Sequence, residues 1–537
     1  MDKTFLQWLS LVGIIWLQSV SGTNTNFPAY SSQLKQLLSM SQLQLNNLAF
    51  ASDAGKLLGF VSGIAALYLP LWLVLLIGST LGLIGYGVQY LFIENYIQSL
   101  SYVHIFLLTV VAGNSICWIN TVCYIVSIRN FPLEYRQVVV GLTTSYQGLS
   151  AKIYTLIVHA FFSSFPAKSA KAFLLLSSIL PFLVSLMASL VVREADVGHG
   201  NSMNGGFIAM FCITISTGIY AIIGSLKSSS KGLSASGNAI GMLVLLLATL
   251  VIPLAEGIAK VSVEKNWVKR ETKIYHFTAE ENVGIERTEN EVKEEDVEDQ
   301  RREVHDQVGV KEEIGVGEMI KRVDFWLYFF VYFFGATLGL VYLNNLGQIA
   351  ESRGSSGTSS LVSLSSSFCF FGRLVPSLMD HFLSRSRYVI SRPASIAALM
   401  APMAGAFFLL LNPTDVSLYI STAVIGVCTG AITSIAVSTT TELFGTKKFS
   451  VNHNVLVANI PLGSFIFGYL AALVYHREEN GEGNCMGLQC YRDTFFIWGS
   501  LGLLGTSLAL VLHIRLRKFY SSKGSKLGIG TDISNGN

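Results

Sequence analysis

Residues 265–313 read KNWVKRETKIYHFTAEENVGIERTENEVKEEDVEDQRREVHDQVGVKEE, and this charged stretch separates two long apolar regions of the chain. The wider segment 260–322 holds about 29 of the chain's 37 basic and 34 acidic residues. A charged side chain near the centre of a bilayer costs about 2.5–3.5 kcal/mol, so this segment must lie in water. Its blocks of like charge predict a disordered or loosely helical cytosolic loop. A solvated linker is a simpler interpretation than a regulatory or partner-binding segment.

The composition outside this loop is that of an integral membrane protein. Hydrophobic residues make up 51% of the chain, charged residues only 13%, and the formal net charge of +3 is too small to indicate a nucleic-acid partner. The cysteines and histidines show no metal-binding spacing, and no P-loop or nucleophile–base pair is recognisable. The sequence therefore predicts neither an enzyme nor a bound metal or cofactor. The partners that it does predict are the lipid bilayer and a small solute.

Apolar stretches of about 20 residues, the length that crosses roughly 30 Å of hydrocarbon, recur along the chain and predict fourteen transmembrane helices. The predicted segments are Phe5–Tyr30, Asn46–Leu67, Leu71–Ile93, Tyr102–Ile125, Gln137–Phe162 and Ala170–Val192, then Phe207–Ser225 and Asn238–Ile258, then Val323–Ala350, Ser359–Met379, Pro393–Leu411, Leu418–Thr439, Val451–Tyr475 and Thr494–Ile514. The predicted domains are a six-helix bundle (1–193), two further helices (194–259), the charged loop (260–322), a second six-helix bundle (323–518) and a cytosolic tail (519–537).

The distribution of basic residues predicts the orientation in the membrane. An even number of helices places both termini on one side, and Arg129, Arg136 and Lys447 are among the cations that fall on that side. The positive-inside rule therefore predicts cytosolic termini, in the plasma membrane or an endomembrane. Phe5–Tyr30 is interpreted as a helix rather than a cleaved signal peptide, because no evident soluble domain follows it.

The two six-helix blocks look like weak copies of one another. The fourth segment of the first block is followed by Asn130-Phe-Pro-Leu-Glu-Tyr-Arg136, and that of the second by Glu442-Leu-Phe-Gly-Thr-Lys-Lys448. Both are aromatic turns that end in a cation. Duplicated bundles with a substrate path between them are typical of secondary transporters.

The strongest local motif is Phe371-Gly-Arg-Leu-Val-Pro-Ser-Leu-Met-Asp380, followed by further arginines. It resembles the Gly-Arg…Asp…Arg loop between the second and third helices of each half in the major facilitator superfamily, where that loop is a gate latch. The resemblance implies a cytosolic gate made by Arg373, Asp380 and Arg385 with the turns that carry Arg136 and Lys447. The alternative is that these cations only anchor the chain at the membrane surface.

Further motifs resemble the plant nodulin-like, nuclear-fusion-defective-4-like proteins. They are Gly113-Asn-Ser, Trp118-Ile-Asn-Thr121, Asn130-Phe-Pro, Val139-Val-Gly141, Gly148-Leu-Ser150, Asn344-Asn-Leu-Gly-Gln348, Glu442-Leu-Phe-Gly445, Asn452, Asn454 and Cys485-x4-Cys490-Tyr491. The resemblance spans nearly the whole chain apart from the central loop. It implies an all-α, major facilitator-like fold of two six-helix bundles plus two extra helices, with the first segment retained. Thr143, Thr144 and Ser145 depart from the family pattern, which has a lysine there, and this chain has Lys152 instead.

Polar residues within the apolar segments are candidates for a substrate cavity. By resemblance, the first and fourth helices of each block line it, and here they carry Gln18, Asn24, Asn26, Asn114, Trp118, Thr121, Tyr342, Asn344, Asn345, Thr422, Thr429, Thr433 and Thr440. Asn114, Trp118 and Thr121 follow a spacing of i, i+4 and i+7, which predicts one helix face. Ordinary hydrogen bonds between helices are the alternative explanation for each of them.

Few ionisable residues fall at membrane depth, and Asp53, Lys152 and His453 are the candidates for coupling transport to protons. Asp53 can pair with Lys152 at a similar depth, cap its own helix, or pair with Lys56 three residues later, and the last two are favoured. Cys485 and Cys490 share a loop predicted to be extracytosolic, where a disulfide and two free thiols are both open alternatives.

Together these features predict a secondary active transporter that moves a small polar or weakly acidic solute by alternating access. The competing hypothesis is a membrane receptor or scaffold that transports nothing and acts through its charged loop.

Overall fold

The computed structural model describes residues 3–162, 169–194, 203–226, 234–258, 310–355, 358–383, 391–478 and 485–534. Within these ranges the chain is helical and contains no strand. The segment 260–309, most of the predicted central loop, lies outside the described residues.

Fourteen long helices follow one another in the described residues. The N-terminal half contains α1 (Thr4–Leu37), α2 (Leu43–Tyr68), α3 (Leu71–Ile93), α4 (Tyr102–Arg129), α5 (Leu133–Phe162) and α6 (Ser169–Ala188). Two helices, α7 (Met203–Leu226) and α8 (Ala235–Ile258), come before the loop. The C-terminal half contains α9 (Val323–Ser352), α10 (Thr358–Leu383), α11 (Arg392–Leu409), α12 (Asp415–Phe444), α13 (Phe449–Arg477) and α14 (Arg492–Ser534). The predicted order of six, two and six helices is confirmed.

Helix α5 differs from the others in composition. Thirteen helices in the described part of the chain are long and apolar enough to cross a membrane, and α5 is not among them. Every residue from 141 to 156 is buried, including Thr143, Thr144 and Ser145. Helix α5 packs along α10 of the other half, where Ser377 Oγ donates to the Gln137 carbonyl at 2.9 Å. It can therefore be polar because its neighbours are protein and not lipid.

The two extra helices pack on the outside of α1, α5 and α10. Phe207 of α7 lies in a buried aromatic cluster with Trp8 and Phe131, and the hydroxyls of Tyr146 and Thr214 are 3.1 Å apart. The Trp16 indole donates to the Leu246 carbonyl of α8 at 3.1 Å. Because α1 is enclosed in this way, it is an integral part of the bundle, as expected for a retained helix.

Four helices are interrupted near their middle. A 3-10 turn divides α1 at Thr23–Asn26 and another divides α2 at Gly55–Leu58, while α9 contains a π-helical turn at Phe333–Thr337. Helix α13 is divided at Ala458, between Phe449–Val457 and Asn459–Arg477. Interrupted helices in transporters commonly mark the binding site, because unwound backbone is tolerated only where it lines a cavity.

The bundle has two ends, which we name by their residues. Arg129, Arg392 and Lys447 lie at one end, the arginine face, where α4 and α12 end and α5, α11 and α13 begin. The Cys485–Cys490 disulfide lies at the other end, the disulfide face. Of the two alternatives that the sequence left open for these cysteines, the structure shows the disulfide.

The two halves touch at both ends. At the disulfide face, Gln348 Nε2 donates to Asn46 Oδ1 at 3.0 Å, and Phe50 packs on Phe465 with ring centroids 5.3 Å apart. At the arginine face, a buried cluster joins Ile128 and Val140 to Val437 and Phe449. The two halves are thus in contact on both sides of the centre of the bundle.

The end of the central loop is folded, which corrects the prediction that all of 260–322 is disordered. Residues 310–320, which we call the strap, lie against the arginine face, where Lys311 N donates to the Glu442 carbonyl at 2.7 Å. The Glu313 carboxylate accepts from the backbone of Thr446 (2.9 Å) and Lys447 (3.2 Å) beside Gly445, whose φ of +91° suits a residue without a side chain. Helix α14 likewise continues to Ser534, into the region predicted as a tail.

A substitution at Gly148 tests whether α5 and α10 approach each other closely. A Cβ added there would lie 2.9 Å from the Phe370 backbone nitrogen, which cannot move without shifting its helix. Overpacking of this kind costs about 1–3 kcal/mol. We therefore expect Gly148→Ala to lower the thermal unfolding midpoint of the detergent-solubilised protein. Gly468→Ala is the matched control, since a Cβ there meets nothing within 4 Å. Equal midpoints for the two variants would contradict the contact.

Candidate functional site

A cavity of about 100 Å³ lies between the two halves. A buried water needs about 10–15 Å³ measured in this way, so the space holds a solute of a few heavy atoms. The N-terminal half contributes Gly22, Asn24, Thr25, Lys56, Ile116, Cys117, Asn120, Thr121, Tyr124 and Gln147, and the C-terminal half contributes Tyr332, Leu340, Arg373, Thr433, His453, Asn454, Val457 and Ile460. We call this space the central cavity.

The central cavity lies at the level of the helix interruptions. Asn24 and Thr25 are in the 3-10 turn of α1, Lys56 is in that of α2, and Val457 precedes the break in α13. Tyr332 immediately precedes the π-helical turn of α9. Both halves therefore place irregular backbone around one shared space, as expected for a substrate site.

A buried ion pair lies on the wall of the cavity. Lys56 Nζ is 2.5 Å from Asp53 Oδ1, and the two residues are only 7% and 2% exposed. Asp53 lies in the last turn of the α-helical part of α2 and Lys56 lies in the 3-10 turn that follows, and side chains three residues apart on a helix are neighbours. The second carboxylate oxygen, Asp53 Oδ2, accepts from Asn344 Nδ2 of α9 at 3.0 Å. Asp53 therefore ties the two halves together between the cavity and the disulfide face.

Lys152 does not pair with Asp53, so this alternative is corrected. Its ammonium group lies 3.7 Å from the position that a Cβ would take at Gly224, on the side of α5 that faces α7. Asp53 instead finds its cation three residues away on its own helix, which is the pairing that the sequence favoured.

Arg373 lies on the cavity wall and not in a surface gate, which corrects its predicted position. Its Nη1 donates to Gln147 Oε1 at 2.6 Å and to the Thr144 carbonyl at 3.4 Å, both on α5 of the other half. Gln147 Nε2 in turn donates to Asn120 Oδ1 at 3.1 Å. The physical reason is that Arg373 comes nearly three turns before the end of α10 at Leu383 and reaches across the seam between the halves.

A second set of polar contacts crosses the seam between α4 and α13. Asn454 Nδ2 donates to Thr121 Oγ1 at 2.9 Å, and the Thr121 and Ser62 hydroxyls are 2.8 Å apart. His453 stacks on Phe449 with ring centroids 5.1 Å apart and is edge-on to Tyr124 at 5.5 Å. Its Nδ1 lies 3.3 Å from the Thr440 hydroxyl. Of these residues, Tyr124 and His453 line the cavity on the side of the arginine face.

The structure places only some of the predicted cavity residues in the cavity. Asn24, Thr121 and Thr433 line it, and Asn344 lies outside it, where its amide donates to Asp53. His453, which was predicted as a coupling residue, also lines the cavity. The remaining predicted residues lie outside it and are buried or half-buried within one half: Gln18, Asn26, Asn114, Trp118, Tyr342, Asn345, Thr422, Thr429 and Thr440. The hydroxyls of Tyr342 and Thr422 are hydrogen-bonded at 2.8 Å. For this pair, an ordinary hydrogen bond between helices is therefore the observed alternative to lining the cavity.

The predicted face of α4 is rotated relative to the observed one. Cys117, Asn120, Thr121 and Tyr124 line the cavity at i, i+3, i+4 and i+7, whereas Trp118 belongs to a buried apolar cluster on the other side of the helix. Trp118 packs closely on Gly78 of α3, so its ring is a core residue and not a cavity wall.

Sequence reasoning missed the charged part of the wall because it followed only the first and fourth helix of each block. Lys56, Gln147, Arg373 and Asn454 come from α2, α5, α10 and α13. A signal was present for Lys56 and Arg373, since a cation within an apolar segment is a functional candidate by default.

The arginine face carries an ion network within the C-terminal half. Arg392 donates to both oxygens of Asp380, at 2.8 and 2.6 Å, and also to Glu442 at 3.3 Å. The Tyr520 hydroxyl donates to the other oxygen of Glu442 at 3.0 Å. Arg392 therefore joins the ends of α10, α11 and α12 within one half, whereas the predicted gate joins the two halves.

The other predicted gate residues that the structure describes have contacts of their own. Arg136 Nε donates to the Phe131 carbonyl at 3.4 Å, and the exposed Lys447 lies with Arg129 at a small cleft between the halves. Arg385 lies outside the described residues. Where the structure describes the chain, no group of three or more histidine, cysteine, aspartate or glutamate residues could hold a metal ion.

Comparison with known proteins identifies the family of this fold and site. The Nodulin-like family model matches residues 7–258, and the NFD4 C-terminal domain model matches residues 307–522. Protein NUCLEAR FUSION DEFECTIVE 4 of Arabidopsis thaliana is 36% identical over 550 residues, which cover 96% of this chain and 89% of that protein. The chain belongs to the nodulin-like, NUCLEAR FUSION DEFECTIVE 4 family.

Solved structures similar to this nodulin-like protein are major facilitator superfamily transporters. The proton:xylose symporter XylE bound to 6-bromo-6-deoxy-D-glucose matches with a TM-score of 0.55 and 12% identity over 97% of each chain. A structure on substrate recognition in proton dependent oligopeptide transporters matches with a TM-score of 0.51 and 12% identity, over 96% of this chain and 100% of that one. At this identity the likeness shows the fold alone, which is that of membrane transporters.

The family boundaries agree with the structure of the nodulin-like protein. The first model ends at residue 258, where α8 ends, and the second begins three residues before the strap. The strap is thus a part of the C-terminal domain and not of the linker.

The Asp380–Arg392 pair gives a stability prediction for this nodulin-like protein. The two side chains are 15% and 12% exposed, and hydrogen bonds to charged groups contribute about 1.5–3 kcal/mol. We expect Asp380→Asn to lower the thermal unfolding midpoint by several degrees. Glu194→Gln is the control, because the Glu194–Arg129 pair is 48% and 41% exposed and such pairs contribute about 0–1 kcal/mol. A larger loss in the control would refute the role of the network.

Proposed function

We propose that this protein is a secondary active transporter that moves a small polar or weakly acidic solute by alternating access. The observation that carries the proposal is the central cavity, which lies between the two bundles and is lined by both. The family and the fold are those of membrane transporters, and they support the general class. The substrate and the mechanism are inferred from the contacts around the cavity.

The contacts at the two ends of the cavity support alternating access. The Gln348–Asn46 and Asn344–Asp53 hydrogen bonds close the side of the disulfide face. The cluster of Ile128, Val140, Val437 and Phe449 closes the side of the arginine face. The contacts at the disulfide face are polar hydrogen bonds, and those at the arginine face are apolar. Rocking of one half against the other therefore separates one set while the other persists.

The lining of the cavity supports a small polar solute. Asn24, Asn120 and Gln147 offer amide donors and acceptors, and Thr25 and Thr433 offer hydroxyls. A fatty solute would leave these groups without partners, at a cost of about 1–3 kcal/mol for each buried group. Arg373 adds a cation, which favours a solute with an acidic group.

The orientation follows from the positive charges. Arg129, Arg136 and Lys447 all lie at the arginine face, and the strap docks there. By the positive-inside rule we propose that this face and both termini are cytosolic.

Cross-linking of the two faces tests alternating access. Ser32 and Glu351 are hydrogen-bonded across the disulfide face, and Arg129 and Thr446 share the cleft at the arginine face. We expect a short reducible cross-linker between cysteines at either pair to abolish uptake into proteoliposomes, and reduction to restore it. The assay uses a panel of labelled hexoses, amino acids and small monocarboxylates. The same reagents are applied to the protein without engineered cysteines, which controls for Cys485–Cys490.

No uptake of any solute in the panel would overturn the proposal. Uptake that persists with both faces cross-linked would also overturn it, because the cavity then lies off the transport path.

Deletion within the central loop separates transport from the scaffold hypothesis. We expect removal of residues 270–305, which leaves the strap intact, to preserve uptake. Loss of uptake, with the protein still folded by its thermal unfolding midpoint, would favour a function that acts through the loop.

A further inference from the structure

We infer that the central cavity binds a small monocarboxylate at Arg373 and Lys56, and that Asp53 takes up one proton with it. This inference rests on the proposed transport function and names its substrate class and coupling ion. It follows from an imbalance of charge in the wall of the cavity and from the partners of Asp53.

The imbalance of charge arises at Arg373. Lys56 and Arg373 both line the cavity, and Lys56 is neutralised by Asp53. In the part of the chain that the structure describes, no carboxylate lies within ion-pair distance of Arg373, whose Nη1 is held by the neutral Gln147 and Thr144. Its Nε is buried and makes no hydrogen bond. A buried cation without an anion is unfavourable, so an anionic solute would stabilise this site.

The geometry of the arginine favours a carboxylate. A guanidinium is a planar fork that matches the two oxygens of a carboxylate, and one edge of Arg373 still has an unused donor. The neighbouring amide of Asn120 and hydroxyl of Thr121 can hydrogen-bond a substituent such as a hydroxyl or keto group. The volume of about 100 Å³ limits the solute to a few carbon atoms.

The partners of Asp53 connect binding of this anion to a proton. Each oxygen of Asp53 has one partner, Lys56 Nζ at 2.5 Å and Asn344 Nδ2 at 3.0 Å. A solute carboxylate that forms an ion pair with Lys56 separates Lys56 from Asp53. Asp53 is then buried without a cation, and burial favours the neutral, protonated form of such a carboxylate. One proton therefore enters with one anion, and the net charge of the cavity stays unchanged.

Protonation of Asp53 also affects the contact between the halves. A protonated carboxyl has one acceptor fewer, so the Asn344–Asp53 hydrogen bond weakens at the side of the disulfide face. The other titratable groups near Asp53 are Lys56 on its own helix, Tyr86 on α3 and Cys117 on α4, with Arg373 and His453 across the cavity. Asp53 is the acid among them that bonds to both halves.

The experiment measures uptake of labelled glycolate, lactate and pyruvate into proteoliposomes that contain the full-length protein. We expect uptake of at least one of them. An inward proton gradient should accelerate it, and a potassium diffusion potential should leave it unchanged, because one anion and one proton carry no net charge. Neutral lactamide should not compete. Arg373→Gln should reduce uptake about ten- to a hundredfold, since it removes a charged hydrogen bond. Arg477→Gln, at an exposed position, is the matched control and should leave uptake unchanged.

Asp53→Asn tests the proton separately. The amide is neutral at every pH, so this variant should lose acceleration by the proton gradient but retain exchange of labelled for unlabelled carboxylate. Exchange with full gradient dependence would overturn the assignment of the proton to Asp53. A thermal unfolding midpoint close to that of the unmodified protein shows that the variant is folded.

Three results would overturn the carboxylate assignment. Uptake of hexoses or other neutral solutes alone, insensitive to Arg373→Gln, would leave the proposed transport function intact and refute this inference. Uptake of phosphate or nitrate without any carboxylate would do the same, since it assigns the cation site to inorganic anions. Absence of uptake for every solute would refute the transport function itself.

Discussion

The structure depends on one constraint, that charged and hydrogen-bonding groups at membrane depth must find partners inside the protein. Asp53 and Lys56 meet this constraint through their ion pair and through Asn344 of the opposite half. Arg373 meets it through Gln147 and Thr144, again across the seam between the halves. Lipid offers no such partners, so the polar side chains of the spans gather where the two bundles face each other. The central cavity lies where these polar side chains of the two halves come together.

The same constraint explains why the seam is close-packed on either side of the cavity. Helix α5 is buried along 141–156 and approaches α10 at Gly148, while α2 approaches α13 at Gly63, where an added Cβ would lie 2.7 Å from the Ser450 carbonyl oxygen. Such contacts bring backbones together and leave no gap for lipid. Between them, the irregular turns of α1, α2, α9 and α13 hold the walls of the cavity apart. Close contact beside an open centre is compatible with bundles that rock against each other.

Much of the fold could be predicted from the sequence, because apolar length is a strong signal. Each of the fourteen predicted segments is a helix and their order is confirmed. In the described part of the chain thirteen helices are long and apolar enough to cross a membrane, and α5 is not among them. The folded strap was missed, because its charges resemble those of the loop that precedes it. The strap is held by specific hydrogen bonds, such as the one that the Glu313 carboxylate accepts from the Thr446 backbone. Such contacts cannot be read from amino-acid composition.

The site was less predictable than the fold, since it depends on how each helix is rotated. Trp118 and Thr121 lie three residues apart, yet one is in the core and the other in the cavity, and the difference comes from the contact of Trp118 with Gly78. The pairing of Asp53 with Lys56 was favoured from their spacing of three, but the amide of Asn344 that completes it comes from 291 residues away. Partners across the two halves require the assembled bundle.

The central claim is that the two halves open at one face at a time around the cavity. The most direct measurement is of distances between spin labels, by electron–electron double resonance in lipid nanodiscs. One pair at the arginine face joins Tyr68 to Lys447, and one at the disulfide face joins Tyr96 to Met486, all exposed positions. The account predicts that each pair shows a short and a long distance, and that conditions which lengthen one pair shorten the other. A single fixed distance in both pairs, or simultaneous lengthening of both, would contradict it.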